Sequence, residues 1–65
     1  MENIGEIIKK KRLEKGLSME KLAWSAGLTY KTVANAEKGS SITMNTLIPI
    51  CDVLGLEIAI KEKES

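Results

Sequence analysis

The sequence predicts an all-α fold, four short helices around one core followed by a short C-terminal β-strand, and three observations carry that prediction. A helix-opening phrase occurs three times in 65 residues: an apolar residue, then Ser or Thr, then an apolar residue five positions after the first, as Leu17-Ser18-Leu22, Leu28-Thr29-Val33 and Ile42-Thr43-Leu47. The hydroxyl accepts a hydrogen bond from a first-turn N–H that has no helical partner, and the flanking apolar pair closes over it as a hydrophobic staple. A glycine stands near the end of each apolar stretch, at Gly16, Gly27, Gly39 and Gly55, where a helix C-terminus favours it. At Leu56 the apolar spacing changes from helical to alternating.

The first helix is expected from about Asn3 to Lys15, with Ile4 and Ile8 facing inward. Its run Lys9-Lys10-Lys11-Arg12 lies near the C-terminus, where cations complement the helix dipole, so most of it needs no ligand. The second helix, Met19 to Ala26, places Leu22, Ala23 and Ala26 on one side, and the two alanines permit close approach of a neighbour. The third, Tyr30 to Lys38, has a thin apolar stripe of Val33, Ala36 and Ala34, so its opposite side is left exposed. The fourth begins at Thr43 and presents Leu47, Ile50, Cys51 and Leu54. Pro49 lies inside it, which predicts a kink or a loosened first turn, at a cost of order 3 kcal/mol unless packing compensates.

From Leu56, the residues Leu56, Ile58 and Ile60 alternate with Glu57, Ala59 and Lys61, a strand pattern. A solitary strand has no ladder to join, so the segment is expected to pair antiparallel with its equivalent in a second copy. The charged end beyond Glu62 reads as a frayed tail. The chain thus divides at Gly55, with residues 1–55 as the folded domain and 56–65 as strand and tail.

Composition excludes several function classes. A chain this small forms one marginally stable core, which self-association would help. Cys51 is the only cysteine and there is no histidine, so neither a disulfide framework nor a metal site is expected, and no cofactor is implied. No apolar run is long enough to span a membrane and no signal peptide is recognisable, so a cytoplasmic location is expected. An enzyme is not expected, because no paired carboxylates or phosphate loop accompany the missing histidine. Net charge is +1, yet residues 1–39 hold eight Lys or Arg against five Glu, and residues 40–65 hold two Lys against four acids. The basic part, +3 against −2, suits a surface that meets phosphate.

The starts at Ser18 and Thr29 lie 11 residues apart with Ala26-Gly27-Leu28 between them, which is the spacing of a helix-turn-helix. Such a unit projects its second helix from the body of the domain, where it can enter a DNA major groove. The residues Gly16-Leu17-Ser18-Met19-Glu20-Lys21-Leu22-Ala23, then Ala26-Gly27-Leu28-Thr29, Thr32-Val33 and Glu37-Lys38-Gly39 resemble the lambda-repressor-like (Cro and phage-repressor, XRE-type) helix-turn-helix family over about residues 4 to 55. The end Leu54-Gly55-Leu56-Glu57-Ile58-Ala59-Ile60 is similar to the tail of HipB-type antitoxins of that family, in which a tail strand pairs across a dimer.

The resemblance implies a compact bundle of four to five helices with helices at about 18–26 and 29–38 and double-stranded DNA as partner, bound by a homodimer on a palindromic operator. It puts Tyr30, Lys31 and Asn35 in base-contacting slots, and Ser18, Met19, Thr29, Thr32 and Lys38 along the DNA backbone. It further implies an ion pair between Arg12 and Glu37, and a dimer strand carrying Leu56, Ile58 and Ile60. The chemistry agrees, since Asn bonds an adenine edge in bidentate fashion, Lys donates to guanine and Tyr meets a thymine methyl. Asn35 carries most weight, because Asn is a poor helix former and local propensity does not explain it there. Some positions depart from the family pattern: Met19 stands where a phosphate-contacting Gln is common, Lys11 where an apolar residue is usual, and Ile7, Leu13 and Trp24 replace surface polar residues. Those apolar three motivate the alternative function, an antitoxin-type module that binds a toxin-like protein and regulates its own operon.

Overall fold

Four helices, α1 (Ile4–Glu14), α2 (Met19–Ala26), α3 (Tyr30–Lys38) and α4 (Met44–Leu54), make up the architecture in a computed structural model that describes residues 3–40 and 42–59. Three of the starts are side-chain capped. Asn3 Oδ1 accepts from the Glu6 N–H at 2.8 Å, Ser18 Oγ from Lys21 at 3.0 Å and Thr29 Oγ1 from Thr32 at 3.2 Å, each satisfying a donor that the helix cannot. The fourth start corrects the sequence expectation: Thr43 is the N-cap residue but its side chain makes no cap bond. Its hydroxyl donates instead to Thr46 Oγ1 at 3.3 Å, and the first turn closes through the backbone, with Thr46 and Leu47 N–H both donating to the Thr43 carbonyl at 3.0 and 2.8 Å. Pro49 has no N–H to offer the Asn45 carbonyl. Even so, α4 runs through it as one helix to Leu54, with the buried Leu47, Ile50, Cys51 and Leu54 anchoring both sides of the proline.

The core draws on every helix: Ile8 from α1, Leu22 and Ala23 from α2, Val33 and Ala36 from α3, and the four α4 residues just named. Leu17, Leu28 and Ile42, the outer halves of the three staples, pack against it half-buried. Ala26 and Ala34 are half-buried as well. Helix α3 rests against both α1 and α2, while α4 packs against α2, α1 and, less extensively, α3. Fully burying one large aliphatic side chain contributes about 1.5–3 kcal/mol, and Ile8, Leu22, Val33, Ile50 and Leu54 are all buried to 1% exposure or less. The hydrophobic term therefore concentrates where the four helices meet.

One expectation for the chain ends is revised and one is not shown. Ile4 does not face inward but is 47% exposed. The inner side of α1 is Gly5, Ile8 and Arg12, and Gly5 is the reason. A Cβ at that position would collide with the carbonyl oxygen of Glu37 and come within 2.8 Å of that of Ala36, so the missing side chain lets α1 approach the end of α3 closely, and this rotates Ile4 outward. At the other end, the segment from Leu56 to Ala59 belongs to no strand among the described residues. Within one chain it has no ladder to join, and Leu56 instead packs on the core. Ile60 lies outside the described residues.

Candidate nucleic-acid interface

The helix-turn-helix unit is built by α2, Gly27 to Thr29, and α3. Gly27 takes left-handed backbone angles, φ 70° and ψ 30°, which cost a glycine little. That geometry brings the Leu28 N–H back to the Ala23 carbonyl at 2.8 Å, the bond that closes a Schellman cap. Leu28 then turns into the core, and Thr29 opens α3. The turn is tight because apolar burial and hydrogen bonding act on adjacent residues.

Helix α3 has one buried and one open side. Val33 and Ala36 are completely buried. Tyr30, Lys31 and Lys38 are exposed, and Thr32, Ala34 and Asn35 are half-buried. Tyr30 and Lys31 therefore stand on the open side of α3, with Tyr30 50% exposed, and Asn35 lies half-buried at the edge of that side. Met19, at the first turn of α2, shares a cleft with Tyr30, Ala34 and Lys38, so the start of α2 abuts the outer side of α3. Ser18 borders a separate depression with Glu20, Lys21 and Trp24. Thr29 and Thr32 hydroxyls are bonded to each other at 2.8 Å. Such a pair uses only one of its two hydroxyl hydrogens, leaving the other to donate outward.

The far end of α3 is tied to α1. Arg12 Nε donates to Glu37 Oε2 at 2.6 Å and its Nη2 to Oε1 at 3.1 Å, a bidentate pair. Arg12 Nη1 also donates to the Leu17 carbonyl at 2.7 Å, which joins the α1–α2 connection to the same knot. Both side chains are 8% exposed or less. A guanidinium and a carboxylate withdrawn from water this far require each other, since either alone would be an uncompensated buried charge. The orientation of α3 is thus fixed at its start by the turn and at its end by this pair.

Gly5 was not singled out in the sequence, although it occupies the same side of α1 as Ile8 and Arg12, three and seven residues on. That spacing was the available signal. Leu56 and Ile58 lie away from α3, lining a groove with Ile4, Ile7, Ile8 and Leu47. Cys51 faces the same region; burial pushes its thiol up from the ordinary value, which keeps it protonated and a poor nucleophile. Among the described residues no cluster of acidic or sulfur ligands could hold a metal ion, and no helix is long and apolar enough to cross a membrane.

A model of the helix-turn-helix family matches residues 8–61, which leaves out only the first seven and the last four residues of the chain. The chain belongs to the lambda-repressor-like, XRE-type helix-turn-helix family. Among curated proteins none matches it. Membership makes it a DNA-binding regulator of the helix-turn-helix kind.

Proposed function

We propose that the protein is a sequence-specific transcriptional regulator that binds a two-fold related operator as a homodimer, reading base edges with Tyr30, Lys31 and Asn35. The observation that carries this reading is the division of α3 into a side locked by Val33, Ala36 and the Arg12–Glu37 pair and a side open to solvent. A rigid helix with free polar side chains is what bidentate base contacts need, each contributing about 1–3 kcal/mol of discrimination. Ser18, Met19, Thr29, Thr32 and Lys38 flank that surface and contact the sugar-phosphate backbone. At the start of α2 the Ser18 hydroxyl and the first two N–H groups, which have no helical acceptor, point donors at a phosphate.

The homodimer reading rests on apolar exposure on α1, α4 and the tail, away from α3. Ile4, Ile7, Ile48 and Ile58 are 39–53% exposed, and Leu56 to Ile60 pairs with the same segment of a second copy to complete a two-stranded ladder, leaving residues 1–55 as the DNA-binding unit. Two recognition helices then enter successive major grooves about 34 Å apart. Selection from a pool of random duplexes tests base reading: one preferred half-site is expected, bound with an affinity that falls steeply with salt. No enrichment and a flat salt response would overturn it. Sedimentation of the full chain beside a version ending at Gly55 tests assembly, with dimer expected for the first and monomer for the second.

A second reading is favoured by Trp24, which is 81% exposed on the outer side of α2. An aromatic side chain so placed is the type of anchor that protein partners use, and it supports an antitoxin-type role in which a toxin-like protein is held while α3 regulates the operon. Co-purification with the product of an adjacent reading frame, lost on Trp24→Ala, is the expected result.

A further inference from the structure

We propose that the cleft between α1 and α3 is a phosphodiester-binding site, in which Lys9 of α1 acts with Lys38 of α3 to grip the DNA backbone beside the base-reading residues. The inference rests on the DNA-binding reading above and adds to it a residue and a place. Lys9 belongs to a run of cations near the end of α1 whose presence the helix dipole explains, but the fold separates it from its neighbours. Lys11 pairs with Glu14 at 3.6 Å, and Arg12 is committed to Glu37. Lys9 instead lines a cleft with Lys38, Tyr30, Met19 and Ala34, and the Arg12–Glu37 pair forms its floor.

Charge decides what this cleft can hold. Its one lining carboxylate, Glu37, is already bound in bidentate fashion by Arg12, so their charges cancel. Lys9 and Lys38 form no ion pair among the described residues, which leaves two uncompensated positive charges at the rim. The open volume is about 350 Å³, enough for a phosphate group and its attached sugar. Met19 and Ala34 add apolar surface that a bare inorganic ion would not use but a deoxyribose covers. Because Tyr30 and Lys38 sit on α3, whatever occupies the cleft lies alongside Lys31 and Asn35. A nucleic-acid backbone meets all of these conditions at once.

The test compares Lys9→Gln, Lys38→Gln and Lys15→Gln in the full chain, the last removing a cation at the end of α1 that does not line the cleft. Affinity for a mixed-sequence duplex is measured across a range of salt. Each cleft variant is expected to flatten the slope of log K against log salt by about 0.9, the value of one phosphate contact, while Lys15→Gln leaves it nearly unchanged. Titration with inorganic phosphate at fixed ionic strength, followed by amide shifts of Lys9 and Lys38, is expected to give no saturable change, whereas the duplex gives one. A Lys9→Gln slope equal to that of Lys15→Gln, in a chain that still binds duplex, would overturn the cleft and spare the DNA-binding reading. Saturable phosphate binding without any duplex effect would also overturn it. If the parent chain binds no duplex at low salt, the cleft and the reading beneath it both fail.

Discussion

Along one side of α1, Gly5, Ile8 and Arg12 are sealed against α3 and the core, with a bidentate ion pair and a backbone contact that leaves no room for a methyl group. Along another, Ile4 and Ile7 stand 47% and 39% exposed over a groove shared with α4 and the tail. The same helix is therefore finished on the side that positions α3 and unfinished on the side that faces away from it. The contrast teaches that packing is rigid where α1 holds α3, and that apolar surface remains on the other side, where the proposed second copy would cover it. A small domain has few residues with which to do both.

Breaking the sealed side produces the largest expected effect. Arg12→Ala strands Glu37 as a buried charge and is expected to lower unfolding stability by about 3–5 kcal/mol, read as a large fall in the midpoint of thermal or urea unfolding; a change under about 1 kcal/mol, the range of surface pairs, would contradict the sealed description. Gly5→Ala comes next, because its methyl group meets the carbonyls of Ala36 and Glu37, and overpacking of that kind costs roughly 1–3 kcal/mol. It should also weaken duplex binding, since α3 must shift to make room.

Two smaller effects sharpen the comparison. Ser18→Ala removes a working cap and is expected to cost about 1 kcal/mol, whereas Thr43→Ala removes a side chain with no cap bond and should cost only a few tenths. Equal losses in denaturant melts would show that the Thr43 hydroxyl contributes more than its geometry indicates. On the open side, Ile7→Gln is expected to change monomer stability by less than about 0.5 kcal/mol while shifting sedimentation from dimer toward monomer. A stable dimer in that variant would place the subunit contact elsewhere.

How much of this was legible in the sequence depended on whether a feature was local. The bounds of α2 and α3 follow from Ser18 and Thr29, from the glycines and from the apolar spacing, all of which act within a few residues. The same local rule failed at Thr43, whose hydroxyl bonds the side chain of a second threonine three positions on instead of the backbone. It failed again at Ile4, because which side of α1 turns inward is set by contact with α3, more than 30 residues away, and by the absence of a side chain at Gly5. Periodicity counts apolar residues and is blind to a glycine used for close approach. For the candidate site, Tyr30, Lys31 and Asn35 could be proposed from the family pattern, with the poor helix propensity of Asn35 as the one local sign. The cleft that joins Lys9 to Lys38 could not, since only the packing of α1 on α3 brings them together.

The measurement that tests the central claim most directly is an amide chemical-shift map of the full chain against a duplex recovered by selection. The account predicts that the perturbed residues cluster at the start of α2 and on the open side of α3, around Tyr30, Lys31 and Asn35, while Ile48, Asp52 and Ile58 stay unmoved. Perturbations centred instead on the groove of Ile4, Ile7 and Ile58, or around Trp24 with α3 silent, would contradict it.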